Sequence, residues 1–110
     1  MENMKIIVNE QLIYECSRES IVDEKKLQFL DKMDLDMGKG IKIRGLQLTN
    51  PDRLQRAEFV ALNLFKALSQ DNEAVIGVSC AWLTNRFPAL YELHINKDDE
   101  GFSVKLVEEH

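Results

Sequence analysis

Residues 50–70 constrain the fold more than any other segment, because on a helix their apolar side chains leave only a narrow polar strip. Asn50 is a good N-cap residue, and Pro51 suits the first helical position, where its missing N–H removes no hydrogen bond. The apolar residues that recur at helical spacing are Leu54, Ala57, Phe59, Val60, Ala61, Leu62, Leu64, Phe65 and Leu68. A helix of this kind either packs on two sides inside its domain or offers a surface to a partner.

The C-terminal residues predict a β-hairpin whose register follows from side-chain type. We expect Asn96 to pair with Gly101. In that register Glu92 faces Lys105, which places opposite charges together on one face of the hairpin. The other pairs are Ile95 with Phe102, Leu93 with Val104, Tyr91 with Leu106, and His94 with Ser103. One register thus gives an all-apolar face, as a strand pair packed on a core requires.

Two segments in the first third of the chain have clear periodicity. Residues 5–16 alternate apolar and polar side chains, which predicts one half-buried strand, with a hairpin that turns at Asn9-Glu10 as the alternative. Residues 20–37 have apolar side chains three or four positions apart, which predicts a helix. Gly38 is well placed to end that helix.

Two further segments complete the predicted architecture. Residues 40–48 predict a strand with a bulge at Gly45, where the parity of the apolar positions shifts. Residues 74–83 favour a strand by residue type, although a continuous apolar run also fits a helix. We therefore expect a single α+β domain over residues 1–110, with a mixed, largely antiparallel sheet of about five strands covered by two long helices.

The length and composition suit one soluble globular domain. The chain has 110 residues, of which 45% are apolar and 30% are charged. No signal peptide is predicted, and the longest apolar run, residues 74–83, is about half a membrane span. Cys16 and Cys80 lie far apart in apolar runs, so we expect buried, reduced thiols and a cytoplasmic location. A Cys16–Cys80 bridge is the alternative.

No metal or nucleotide motif has the required spacing. Residues 96–101 match the first half of a calcium loop, but its twelfth position is Val107, where a bidentate glutamate is needed. Gly38-Lys39-Gly40 precedes a predicted strand, whereas phosphate loops precede a helix. The sequence therefore predicts no cofactor and no metal site.

Three residues are candidates for catalysis. Cys80 would be a nucleophile if His94 lay across the sheet from it, and Glu92 with His94 would form an acid/base pair on one face of a strand. The apolar neighbours of Cys80 instead predict a core position, and His94 fits an exposed strand histidine. We therefore expect a protein without catalytic activity, and an enzyme that uses Cys80 or Glu92/His94 is the last alternative.

The charge distribution is uneven along the chain. Residues 38–56 contain five bases and one acid, a net charge of +4, in a chain whose net charge is −5. The candidate anion-binding or partner-binding residues of this basic segment (39–56) are Lys42, Arg44, Arg53 and Arg56. A helix N-terminus beside them would favour phosphate, an acidic peptide or a nucleic-acid backbone. The alternative is that these bases pair with the acidic helix at 20–37, and the net negative charge disfavours nucleic acid.

Aromatic and aliphatic side chains give a second candidate surface. Phe59 and Leu62 widen the apolar side of the helix at 50–70, and Trp82 and Phe87 lie beside a predicted turn. Such residues are favoured at interfaces, and core packing is the alternative. We expect a small cytosolic protein-binding or regulatory module that forms a homodimer through that helix and has no membrane contact. Anion or nucleic-acid binding through the basic segment is the alternative function.

Overall fold

The computed structural model describes residues 3–17, 23–43 and 45–108. The predicted α+β class is confirmed, but the described residues form three helices and two sheets rather than two long helices and one sheet of about five strands. In chain order the elements are β1 (Met4–Val8), β2 (Gln11–Cys16), α1 (Glu24–Gly38), β3 (Ile41–Ile43), β4 (Leu46–Leu48), α2 (Arg53–Ser69), α3 (Glu73–Arg86), β5 (Leu90–Asp98) and β6 (Gly101–Glu108). They pack as one globule with a Cα radius of gyration of 13.4 Å.

The main sheet has the strand order β2-β1-β5-β6. β1 and β5 run parallel, and the two outer pairs are antiparallel hairpins. The prediction of one strand over residues 5–16 is wrong, because the chain reverses at Asn9-Glu10 as in the hairpin alternative. Both turn residues have a positive φ, 48° and 68°, which is typical of the two-residue turns that match the twist of the flanking strands.

The core lies between this sheet and the helices α2 and α3. Met4 and Ile6 of β1 and Leu93 and Ile95 of β5 are fully buried. The buried residues of α2 are Ala57, Val60, Ala61, Leu64 and Ala67. Because α2 packs against α3 as well as against β3 and β5, its broad apolar surface is largely internal.

The helix α2 begins slightly later than the sequence predicts. Asp52 rather than Asn50 is the N-cap residue, and its side chain accepts a hydrogen bond from the backbone N–H of Gln55 at 2.8 Å. The Gln55 side chain in turn accepts a hydrogen bond from the backbone N–H of Asp52 at 2.9 Å. This reciprocal pair satisfies two N–H groups that the start of a helix leaves without a partner.

Residues 74–83 lie in the helix α3, so the strand that their residue types favour is wrong and the helix alternative is confirmed. The helix begins after Asn72, whose side chain accepts a hydrogen bond from the backbone N–H of Val75 at 3.3 Å. Trp82 and Leu83 are buried against the core. Burial of this kind outweighs the small intrinsic preference of the β-branched residues in the run for strands.

The C-terminal hairpin is present, but its register is shifted by two residues from the predicted one. Asp98 pairs with Gly101, so the turn contains only Asp99-Glu100. Oδ1 of Asp98 stabilises this turn by accepting hydrogen bonds from the backbone N–H groups of Glu100 at 2.8 Å and Gly101 at 3.1 Å. The turn chemistry of one aspartate thus overrides the register that side-chain type favours.

The apolar face of the hairpin is retained, because a shift of two residues leaves every side chain on its own side of the sheet. The apolar pairs are Leu93 with Leu106 and Ile95 with Val104. The predicted pair of Glu92 with Lys105 is wrong, since Lys105 lies opposite His94. The sequence therefore identifies the buried face correctly and the individual partners incorrectly.

Residues 40–48 form a second, two-stranded sheet instead of one bulged strand. The chain reverses at Gly45, whose φ of 80° lies in the region that glycine adopts without strain. Ile41 and Ile43 of β3 are buried and pack toward α2. The small sheet thus packs on α2 through β3 and leaves β4 largely at the surface.

Cys16 and Cys80 form a disulfide, so the prediction of two reduced thiols is wrong. Their Cα atoms lie 5.7 Å apart, a usual spacing for such a bond. The disulfide joins the last residue of β2 to α3 across 64 positions of the chain. Cys16 is buried while the five residues before it in β2 are exposed, so the disulfide fastens this strand to the helical layer.

Alanine substitutions at Gly101 and Gly77 are expected to have opposite effects on the free energy of unfolding. Gly101 has a φ of 133°, so Gly101→Ala is expected to destabilise the protein by about 1 kcal/mol. Gly77 lies inside α3 with open space where a Cβ would stand, so Gly77→Ala is expected to stabilise it by about 1 kcal/mol. Urea unfolding of the two variants measures both effects, and effects of the same sign would contradict this assignment.

Candidate binding sites

The predicted basic residues do not form one patch. Lys42 lies exposed on β3, and Arg44 lies outside the described residues. Arg53 and Arg56 lie at the start of α2, where they meet residues of α1 and α3. Lys42 on β3 therefore lies apart from Arg53 and Arg56, and these two arginines belong to a separate cluster.

Asp34 of α1 is the centre of this arginine cluster, which consists of Arg53, Arg56 and Arg86 with Asp31 and Asp34. Asp34 accepts hydrogen bonds from Arg86 Nε at 3.0 Å and from Arg86 Nη2 at 2.9 Å. Arg56 Nη1 lies 3.6 Å from the same carboxylate, and Arg86 Nη2 also contacts Asp31 at 2.9 Å. Charge-assisted pairs of this kind are the stronger hydrogen bonds in proteins, so Asp34 ties α1 to both other helices.

The indole of Trp82 completes the contacts of Asp34. Its Nε1 donates to Asp34 Oδ1 at 3.0 Å, although the ring itself is buried. A buried tryptophan needs such a partner for its N–H, because an unpaired polar group in the core is costly. Asp34 therefore serves a structural purpose at the point where three helices meet.

Arg53 is held by the end of α3. Its Nη2 donates to the backbone oxygen of Arg86 at 2.8 Å, and its guanidinium carbon lies 4.0 Å from the ring centre of Phe87. Arg56 donates from Nε to the backbone oxygen of Pro51 at 3.2 Å. The sequence offered the alternative that these bases pair with the acidic helix. Arg56 does so through Asp34 of α1, whereas Arg53 contacts the end of α3.

The arginine cluster surrounds a cavity of about 370 Å³. Three guanidinium groups face two carboxylates, an excess of one positive charge. Each guanidinium carries five N–H donors, so several donors remain available to an anion. Asp34 already accepts from Arg86 and lies close to Arg56, so an anion in this cavity would meet a carboxylate as well as the free donors.

The aromatic residues predicted as an interface lie in the core instead. Trp82 is 2% exposed and Phe87 is 1% exposed, and their ring centres lie 6.0 Å apart. Neither side chain offers surface to a partner. Phe59 and Leu62 of α2 are partly buried against the core and keep some exposed surface.

A mostly apolar groove of about 450 Å³ lies where α1, α2 and α3 meet. Phe29 and Met33 of α1, Phe59 of α2, and Val75 and Val78 of α3 line it. Phe29 is 49% exposed, which is unusual for a large aromatic side chain beside a core. The volume is within the range of sites that bind ligands or side chains of a partner.

Polar groups surround this helical groove. The polar lining residues are Asp36, Asn63, Lys66, Gln70, Asn72 and Ser79. Asp36 lies 3.9 Å from Lys39 Nζ, whereas no carboxylate of the described residues lies within ion-pair distance of Lys66. The groove therefore combines an apolar floor with an ammonium group that is available to an acidic partner.

The catalytic candidates do not converge. Cys80 is bonded to Cys16 and so has no thiol, which removes the nucleophile of the enzyme hypothesis. Glu92 Oε1 and His94 Nε2 lie 3.0 Å apart, as the acid/base alternative requires. Neither residue lines the groove or the cavity described above. Glu92 and His94 thus have the geometry of an acid/base pair, but they lie beside neither the groove nor the cavity that could hold a substrate.

Sequence reasoning missed Arg86 and Asp34 as cluster residues. Asp31 and Asp34 are three positions apart and therefore share one face of α1, which was a usable signal. Their partner Arg86 was hidden because residues 74–83 were expected to form a strand. The placement of α3 as a helix is what brings Trp82 and Arg86 to Asp34.

No protein-family model, curated protein or solved structure matches this chain. Over residues 3–17, 23–43 and 45–108, no helix is both long and apolar enough to cross a membrane. The same residues contain no group of three or more His, Cys, Asp or Glu side chains placed to hold a metal ion. The function therefore has to be inferred from the surfaces described above.

Proposed function

We propose that the protein is a small protein-binding module without catalytic activity, and that it binds its partner in the helical groove. The observation that supports this most directly is Phe29, which is half exposed beside an apolar groove to which α2 contributes Phe59. Large aromatic side chains beside well-formed apolar pockets carry much of the binding energy at protein interfaces. The groove thus supplies the apolar helix surface that the proposal requires.

The partner we propose is an amphipathic helix. Grooves between packed helices commonly bind such a helix through apolar side chains spaced three or four residues apart. Lys66 at the rim favours an acidic residue beside the apolar face of that helix. The partner segment is therefore apolar on one face and carries at least one carboxylate.

The homodimer through α2 has less support than binding in the groove. Most of the apolar residues of α2 pack inside the domain, and Leu54, at 62% exposed, is the large apolar side chain that α2 leaves at the surface. A stable homodimer needs roughly 1,200–2,000 Å² of buried surface. We therefore base the proposed function on a different protein as the partner.

Anion binding at the arginine cluster is the second candidate function. Three guanidinium groups around one cavity favour it, and Asp34 weighs against it because it already accepts from Arg86 and lies close to Arg56. Catalysis by Glu92 and His94 rests on their 3.0 Å contact alone. Neither alternative has an apolar recognition surface comparable with the groove.

A cytoplasmic location remains part of the proposal on the basis of composition. Two cysteines in 110 residues is far below the density of small secreted scaffolds. The Cys16–Cys80 disulfide weighs against this location, because cytosolic thiol systems keep most cysteines reduced.

Peptides selected from a library of amphipathic helices are expected to bind the wild-type protein in the helical groove. Phe29→Asp is expected to weaken their binding by about 30-fold, the loss typical of an interface hot spot. Fluorescence polarisation with labelled peptides measures the dissociation constants. Circular dichroism of the variant shows whether its fold is retained.

Leu54→Asp is the matched control, because Leu54 is also exposed but does not line the groove. It should change the dissociation constants less than about threefold. Selection of no peptide, or equal loss of binding in both variants, would overturn the proposed function.

A further inference from the structure

The strand β2 is an unusual edge strand. It lies at one end of the order β2-β1-β5-β6, and Leu12, Ile13 and Tyr14 in its middle are 54%, 46% and 38% exposed. Edge strands of monomeric proteins usually carry charged residues or proline, which prevent pairing with another chain. The charged residue of β2, Glu15, stands next to its last position, and the residues from Gln11 to Tyr14 carry no charge. Among the residues that the structure describes, no strand pairs with the outer side of β2, so this edge can accept an added strand.

The opposite edge of the sheet is better protected. The half-buried side of β6 packs against α2 through Phe102, whose ring centre lies 5.6 Å from that of Phe65. Lys105 lies exposed in the middle of β6, where a charge discourages pairing. The difference between the two edges marks β2 as the one available for association.

A second groove, of about 550 Å³, lies beside β2 and beneath the junction of α2 and α3. Ile13 and Tyr14 line it from the strand, and Phe65, Leu68 and Ile76 line it from the helices. Ile13 has no counterpart in the register between β1 and β2, so the strand has a bulge there, and the adjacent side chains of Ile13 and Tyr14 both reach the groove. A strand added to β2 would place its own side chains in this space.

The rim of this edge groove is acidic. Asp71 and Glu73 line it at the α2–α3 junction, and neither forms an ion pair with a base among the described residues. A second copy of this chain would bring equal charges together, so the rim favours a basic partner.

The disulfide fixes the geometry of this edge. Cys16 ends β2, and its bond to Cys80 holds the strand against α3 beside the groove. A surface held in place before binding loses less conformational entropy when a partner adds to it.

We propose that the β2 edge binds an extended segment of a partner protein in which every second residue faces the groove, and that these groove-facing side chains include both apolar and basic ones. Main-chain hydrogen bonds to β2 give the affinity, apolar side chains fill the groove beside Ile13 and Tyr14, and basic side chains meet Asp71 and Glu73. This site is separate from the helical groove and does not depend on the function proposed above.

Two synthetic heptapeptides test this site: threonine occupies every second position of both, and the groove-facing positions carry valine and lysine in one peptide and valine and glutamate in the other. Titration into the uniformly ¹⁵N-labelled full chain is expected to shift the backbone amide signals of β2 with the lysine peptide. We expect the lysine peptide to bind about tenfold more tightly than the glutamate peptide. Equal binding of the two, or no saturable shift of β2 with the lysine peptide, would overturn the proposal.

The double variant Asp71→Asn/Glu73→Gln is expected to weaken binding of the lysine peptide about threefold to fivefold. Asp99→Asn/Glu100→Gln makes the same change in net charge at the β5–β6 turn and is expected to change it less than twofold. Equal effects of the two variants would show that the peptide responds to net charge alone, which would also overturn the site.

Discussion

Replacing both Cys16 and Cys80 with alanine is expected to lower the free energy of unfolding by about 4 kcal/mol. The disulfide closes a loop of 64 positions, which removes a large amount of conformational entropy from the unfolded chain. It also fastens β2, whose other residues are exposed, to α3. A domain of this size has only about 5–15 kcal/mol of stability, so the loss would be a large fraction of the total.

Urea unfolding with and without dithiothreitol measures this contribution in two independent ways. Reduced wild-type protein and the double alanine variant should unfold at similar urea concentrations, both well below the oxidised wild type. The variant serves as the control, because dithiothreitol should not change its unfolding midpoint. A variant within about 1 kcal/mol of the oxidised wild type would show that the disulfide contributes little.

Asp34→Ala is expected to lower the free energy of unfolding by about 3 kcal/mol. The change leaves the indole N–H of the buried Trp82 without its partner, and it leaves the partly buried guanidinium of Arg86 with the largely exposed Asp31 as its remaining carboxylate contact. It also removes the contact with Arg56. The large effect follows from the groups left without partners rather than from the strength of any single bond.

Asp31→Asn is the matched control for this prediction. Asp31 contacts the same Arg86, but its side chain is largely exposed, so its loss should cost less than about 1 kcal/mol. Asp34→Asn should lower the free energy of unfolding by less than Asp34→Ala and by more than Asp31→Asn, because the amide oxygen still accepts a hydrogen bond from Trp82. An effect of Asp34→Ala no larger than that of Asp31→Asn would contradict the structural role assigned to Asp34.

Local patterns in the sequence predict the fold class and the two clearest elements. The helix at 50–70 has an N-terminal signal and apolar side chains at helical spacing, and the structure has α2 at Arg53–Ser69. The C-terminal hairpin is also present, because alternation fixes which face of each strand is buried. The strand pairing in this hairpin is shifted by two residues because Asp98 closes a shorter turn. The alternation of apolar and polar residues gives no information about that local contact.

The remaining errors come from contacts that no local pattern reveals. Residues 74–83 are apolar almost throughout, so they have no periodicity that distinguishes a strand from a helix. The packing of these side chains in the core determines that they form a helix. The disulfide joins residues 64 positions apart, and spacing alone does not pair them.

The arginine cluster shows the same limit for the candidate sites. Arg53 and Arg56 were predicted as binding residues from charge alone, but their neighbours on α1 and α3 are known only once the helices are packed. The helical groove likewise needs three helices before it exists, so the sequence predicts Phe59 as a surface residue without showing what surrounds it.

The parallel contact between β1 and β5 has a consequence for how the chain reaches its native state. Lys5 pairs with Glu92, so the contact that joins the two hairpins brings together residues from distant parts of the chain, with all three helices between them in sequence. Each hairpin forms through local contacts, but their union requires closure of a very long loop. The central sheet is therefore expected to assemble late, with the helical middle of the chain acting as the surface on which its two halves meet.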